Sequence, residues 1–213
     1  MTHLERFHDH FRTAPLVAIL RGLRPDEALA IGSALVDAGI GVIEVPLNSP
    51  EPLRSIETLA AHLGERALVG AGTVLEAADV ARVADAGGGI IVSPSVDAEV
   101  IAATAAAGLV SAPGYFTPSE AFAALKAGAH VLKLFPAEGG GPAVVRAHRA
   151  VLPATVPVLA VGGITPGSIA SWQGSGVDGF GLGSALYRPG QSAAEVGTQA
   201  RAFVAAAAGF AGA

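Results

Sequence analysis

Cysteine is missing from this chain, which removes disulfides and thiolate nucleophiles from consideration. Aromatic residues make up only 5% of the sequence against 51% hydrophobic residues, so the core has to be built from Ala, Val, Leu and Ile. Positive charge is also scarce. The net charge is −5, with no basic cluster, which argues against nucleic acid or an anionic membrane surface as a partner. No uninterrupted apolar stretch reaches the ~18 to 20 residues needed to span a bilayer. The segment Met1–Arg12 is charged and lacks the apolar centre of a signal peptide. Together these absences point to a soluble, cytoplasmic protein. Lysine is nearly absent too: of 13 basic residues, only Lys126 and Lys133 are lysines.

What is present is a recurring pattern. Length fits one domain over residues 1–213 with a substantial core. Short apolar runs lie at Leu16–Leu20, Val42–Leu47, Leu68–Ala71, Ile90–Val92, Leu109–Ala112, Val131–Phe135, Val158–Val161 and Gly179–Leu182. Between them, helices are predicted over Pro25–Ala38, Pro50–His62, Glu76–Ala86, Asp97–Ala107, Pro118–Ala127, Pro142–Val151 and Pro166–Gln173. Most of these open with proline, which suits a first helical turn, and several stop at glycine. Strands alternating with helices imply a parallel sheet covered by helices. Eight of them favour a closed (β/α)₈ TIM barrel, with a leading helix over Leu4–Arg12 and a closing one over Ala193–Ala207.

In such a barrel, chemistry sits at the C-terminal strand ends. Side chains alternate along a strand, so Val131, Lys133 and Phe135 share one face, as do Val42, Glu44 and Pro46. An ammonium set among leucines is costly, and a lowered pKa that leaves it neutral and nucleophilic is one escape. Such an amine can form a Schiff base with a ketone. Snorkelling of the side chain to a strand end is the other. Glu44, likewise mid-strand, is either a structural ion-pair partner of Lys133 or a proton-transfer group. Arg21 and Thr73 end the first and third strands and offer donors suited to a carboxylate. Gly162 and Gly163 follow the seventh strand, and Gly183 and Ser184 the eighth, where bare amides form the recurrent phosphate site of these barrels. A Cβ at Gly163 or Gly183 is expected to obstruct that close approach. The glycines lack dinucleotide spacing, so no nicotinamide or flavin is inferred. The histidines lack metal-ligand spacing, so no metal site is expected.

The stretches Ala18-Ile19-Leu20-Arg21-Gly22, Ile43-Glu44-Val45-Pro46-Leu47-Asn48-Ser49, Val69-Gly70-Ala71-Gly72-Thr73-Val74, Pro113-Gly114, Leu132-Lys133-Leu134-Phe135-Pro136 and Val161-Gly162-Gly163-Ile164 run through nearly the whole chain. At these separations the chain resembles the 2-keto-3-deoxy-6-phosphogluconate/galactonate aldolases, class I pyruvate aldolases on a (β/α)₈ barrel. Pro46-Leu47-Asn48-Ser49 looks like the phosphogalactonate branch, because the phosphogluconate branch typically has Thr-Leu-Arg-Thr there. Val161 also stands where that other branch usually has Thr, so one hydroxyl donor to phosphate is missing.

The resemblance implies a phosphorylated keto-deoxy sugar acid as substrate and no cofactor or metal. It also implies Lys133 as the Schiff-base lysine, Glu44 as general acid/base and Arg21 with Thr73 on the pyruvyl carboxylate. Gly162, Gly163, Gly183 and Ser184 would hold the phosphate, and Asn48 would set specificity beside the substrate's middle hydroxyls. A homotrimer is implied as well. A phosphogluconate-cleaving or dual-specificity enzyme is the nearest alternative. A sugar-phosphate epimerase or isomerase on the same barrel would need a second acid/base opposite Glu44, and the strand ends offer no convincing carboxylate. A non-catalytic phosphate-binding module would leave the lumen lysine as an unexplained cost.

Overall fold

The computed structural model describes residues 1–210. Helix α1 (His3–Thr13) leads, its first turn closed by a reciprocal box. The Glu5 amide donates to Thr2 Oγ1 (3.2 Å) and the Thr2 amide to Glu5 Oε2 (2.7 Å). Then follow β1 (Leu16–Ile19), α2 (Pro25–Asp37), β2 (Val42–Pro46), α3 (Pro52–Leu63), β3 (Leu68–Gly72), α4 (Ala77–Asp85), β4 (Ile90–Val92) and α5 (Ala98–Ala106). The second half comprises β5 (Val110–Ala112), β6 (Gly114–Tyr115), α6 (Pro118–Ala127), β7 (Leu132–Leu134), α7 (Gly141–Arg149), β8 (Val158–Val161), β9 (Gly179–Leu182) and α8 (Ala193–Ala207).

Every strand pairing is parallel, in the order β5-β4-β3-β2-β1-β9-β8-β7-β6. The sheet closes because β5 and β6 are one stave broken at Pro113, which has no N–H to give the ladder. Its carbonyl still accepts from the Lys133 amide (3.0 Å), and Tyr115 O accepts from the Phe135 amide (3.1 Å). Nine strands are thus eight staves of a (β/α)₈ barrel.

Alternation along the strands separates two cores. Val17, Val42, Leu68, Ile90, Val110, Val131 and Leu159 fill the lumen, closed below by Phe7 of α1, which stacks on Phe11. Ile43, Val45, Val69, Ile91, Leu132, Leu134 and Phe180 face outward, in one cluster with Leu35, Ile56, Val83, Val145 and Phe203 of the helices. Aliphatic side chains make up most of both sides, with a few phenylalanines, which explains how a chain so poor in aromatics closes a barrel. Arg149 ties α7 to the loops around β8 and β9, donating to Gly176 O (2.6 Å), Val156 O (2.9 Å) and the Asp178 carboxylate.

One expected helix is absent. Over Pro166–Gln173 only a short 3₁₀ turn forms, at Ile169–Trp172. Thr165 and Ser168 exchange side-chain-to-backbone bonds there (Thr165 N to Ser168 Oγ 2.9 Å, Ser168 N to Thr165 Oγ1 3.2 Å). Such local bonds compete with an α-helical start. Among the described residues no helix is long and apolar enough to cross a membrane.

Candidate active site

The lumen opens at the C-terminal strand ends into a cavity of about 430 Å³, a volume suited to a small ligand. Arg21, Glu44, Thr73, Lys133, Gly162, Gly163, Gly183 and Ser184 all line it. Ile19, Pro94, Phe135, Thr165, Ala185 and Arg188 line it too, and the sequence reading assigned none of these a role. Proximity in the chain could have suggested Thr165 and Arg188, since they lie a few residues beyond Gly162-Gly163 and Gly183-Ser184.

Glu44 pairs in register with Ile19 and Gly70, and Lys133 with Gly114 and Leu159, so both rise from mid-strand into the lumen. Room beside them comes from glycine. A Cβ on Gly72 would overlap Glu44 Oε2, so the bare strand end of β3 is what lets the carboxylate stand upright. Glu44 is 3% exposed and Lys133 7%. No ion pair joins them among the described residues, and Glu44 Oε2 has no hydrogen-bond partner. The Lys133 ammonium position lies 5.0 Å from the centre of the Phe135 ring, a distance at which the ring face attracts a cation.

Burial pushes both groups toward neutrality. Desolvation raises the Glu44 carboxyl to about 7, against the opposing pull of Lys133 and Arg21. Desolvation lowers the Lys133 amine to about 8, with Arg21 adding to the fall and Glu44 resisting it. The two sites therefore titrate side by side near neutral pH, where a proton can move on or off either one. A permanent ion pair would have moved them apart.

At one wall of the cavity, Arg21 donates to Asn48 Oδ1 (2.8 Å) and to Thr73 Oγ1 (3.3 Å). Thr73 has φ +55°, a left-handed conformation that a β-branched residue adopts only when its surroundings impose it. The twist brings its hydroxyl to Arg21 at the mouth. Asn48 itself does not line the cavity. Its contact with the cavity runs through Arg21, for which the short neutral amide provides an acceptor.

On the other side of β1 from β2 and β3, past β9, Gly162 (φ +115°) and Gly163 (φ +68°) turn the chain after β8, a consecutive pair of positive φ angles that only glycine tolerates easily. Beyond β9, Leu186 N and Tyr187 N fold back on Gly183 O (2.8 and 3.1 Å). The amides of Gly163, Gly183 and Ser184 find no acceptor among the described residues. One detail departs from expectation. A Cβ on Gly163 would meet the Glu138 side chain, whereas a Cβ on Gly183 would meet nothing within 4 Å. Of the two glycines, it is therefore Gly183 that offers unobstructed space.

Residues 7–192 match the family model described as "Aldolase: KDPG and KHG aldolase". The chain is 50% identical over 192 residues to "Probable 2-dehydro-3-deoxy-6-phosphogalactonate aldolase" of Rhizobium meliloti (strain 1021), covering 90% of this chain and 91% of that one. It is 48% identical over 190 residues to "2-dehydro-3-deoxy-6-phosphogalactonate aldolase" of Escherichia coli (strain K12), covering 89% and 93%. A solved structure described as "Native KDPGal structure" superposes with a TM-score of 0.89 at 48% identity, over 90% of this chain and 93% of that one. The chain belongs to the KDPG and KHG aldolase family.

Proposed function

We propose that this chain is a class I aldolase that cleaves 2-dehydro-3-deoxy-6-phospho-D-galactonate to pyruvate and D-glyceraldehyde 3-phosphate, with Lys133 as nucleophile and Glu44 as acid/base. The observation that carries this reading is the buried pair at mid-lumen. Its members are not in ion-pair contact, and each is pushed toward its neutral form, to about 8 for the amine and about 7 for the carboxyl. The similarity to the two phosphogalactonate aldolases supports the choice of substrate.

The neutral amine of Lys133 attacks the C2 ketone, and loss of water from the resulting carbinolamine leaves an iminium. Glu44 takes the proton of the C4 hydroxyl as the C3–C4 bond breaks. The bonding electrons pass to the iminium nitrogen, giving an enamine, and the aldehyde product departs. Protonation at C3 and addition of water then release pyruvate and regenerate the amine. Arg21 forks onto the C1 carboxylate with the Thr73 hydroxyl beside it. The amides of Gly162, Gly163, Gly183 and Ser184 receive the phosphate beyond the ends of β8 and β9. Asn48 acts through Arg21.

Borohydride reduction in the presence of pyruvate tests the reading. Wild type and Lys126→Met should retain one trapped pyruvyl group, and Lys133→Met should retain none. Lys126 lies in the last turn of α6, where a cation suits the helix dipole. Labelling that survives in Lys133→Met and disappears in Lys126→Met would sink the assignment. We extend the proposal to a cytoplasmic homotrimer. A solution mass of three chains supports that extension, and a mass of one chain refutes it.

A further inference from the structure

We infer that Arg188 is the side-chain cation of the phosphate wall, a specificity residue that selects a phosphorylated over an unphosphorylated substrate; this rests on the aldolase reading above. A phosphate monoester carries close to two negative charges at neutral pH, and backbone amides answer them only with dipoles. The chain as a whole has a net charge of −5, so no global field draws a dianion in, and a local cation has to do so. The cavity has three cations. Arg21 is already bound to Asn48 and Thr73, at the ends of β2 and β3, and Lys133 rises from the floor. Arg188 lines the same cavity and reaches the Gly183–Ser184 loop directly, through its Nε bond to Ser184 O.

Its backbone is held in place while the terminal NH₂ groups of its guanidinium make no bond among the described residues. The turn from Gly183 to Tyr187 folds residue 188 back over residue 184, so that Arg188 Nε donates to Ser184 O (2.9 Å). Tyr187 Oη donates to the Glu27 carboxylate (2.7 Å), anchoring that turn to α2. The Arg188 amide donates to Gln191 Oε1 (2.7 Å), and the Gln191 amide to Arg188 O (3.2 Å). Among the described residues no carboxylate lies in ion-pair contact with the guanidinium. With Nε already engaged, both terminal NH₂ groups remain available, a planar fork that matches two phosphate oxygens.

The test compares D-glyceraldehyde 3-phosphate with D-glyceraldehyde as acceptors for aldol addition of pyruvate. Arg188→Met should raise KM for the phosphorylated aldehyde about tenfold or more, the loss expected for a charge-assisted hydrogen bond. Its kcat should stay within a few-fold, and its use of D-glyceraldehyde should be unchanged, the signature of lost binding at one end. Arg188→Lys, which keeps the charge but not the Nε bond to Ser184, should recover much of the loss. Equal losses on both aldehydes, or no rescue by lysine, would show that Arg188 is only a staple for the Ser184 turn. Calorimetric titration with inorganic phosphate gives an answer independent of catalysis. Weaker binding to Arg188→Met than to wild type is expected, and equal binding overturns the proposal. Failure of wild type to trap pyruvate would instead defeat the aldolase reading.

Discussion

Replacing Glu44 with Gln separates two jobs that the carboxylate is proposed to hold. The first is proton transfer. Gln keeps the shape and the hydrogen-bonding atoms but cannot accept a proton, and acid/base assistance is worth about 10² to 10⁴-fold. Turnover of the phosphogalactonate substrate should fall by that factor, about 3 to 5 kcal/mol in the barrier. The second job is electrostatic. Glu44 is the one group that holds the Lys133 amine up, while burial and Arg21 drive it down to about 8. With the anion gone, both depressing influences act unopposed, and the amine stays neutral to lower pH than in wild type. The assay is the pH dependence of pyruvate trapping by borohydride, read as a midpoint so that a slower overall rate does not confuse it. The midpoint for Glu44→Gln should lie below that of wild type while steady-state turnover collapses. A midpoint that stays or rises, or turnover within a few-fold of wild type, would refute the proposed coupling and leave the mechanism without its base.

The same pair should make the barrel less stable at neutral pH. The folded-state pKa of Glu44 is raised to about 7, so its contribution is lost as pH rises from the usual carboxylate range through 7. That of Lys133 is lowered to about 8, so its contribution is lost as pH falls from the usual amine range through 8. Both penalties coincide near pH 7, and the double variant Lys133→Met/Glu44→Gln should melt above wild type there, as calorimetry can check. Gly183→Val should raise KM for the phosphorylated substrate while leaving pyruvate trapping intact, because Gly183 lines the cavity and a side chain there enters open space without backbone strain. Loss of trapping as well would indicate general damage to the barrel. Wild type should show a higher kcat/KM for the phosphogalactonate substrate than for its C4 epimer. Asn48→Arg should raise KM for both and narrow the preference, since it removes the acceptor for Arg21 and sets a like charge beside it. Kinetics on the two epimers decide this, and an unchanged KM would show that Asn48 does not position Arg21.

The sequence by itself determined the barrel and the identity of its two central groups, because both depend on local periodicity. Alternation along a strand fixes which side a residue faces, so Glu44 and Lys133 were assignable to the lumen once their runs were recognised as strands. Proline at helix starts and glycine at helix stops marked most boundaries within a residue or two for the same reason. Only the tertiary structure decided the rest. That β5 and β6 form one stave across Pro113 depends on what β7 donates to, 20 residues further along. The Arg21–Asn48–Thr73 cluster joins the ends of three staves, and no spacing rule links residues that far apart. The left-handed Thr73 runs against its own preference, which is how imposed strain escapes a reading by propensity. Arg188 lay in view of the phosphate loops in sequence, yet only the fold of the Gly183–Tyr187 turn places its guanidinium on the cavity wall. The direction of a missing Cβ, toward Glu138 at Gly163 and into open space at Gly183, is a property of packing alone.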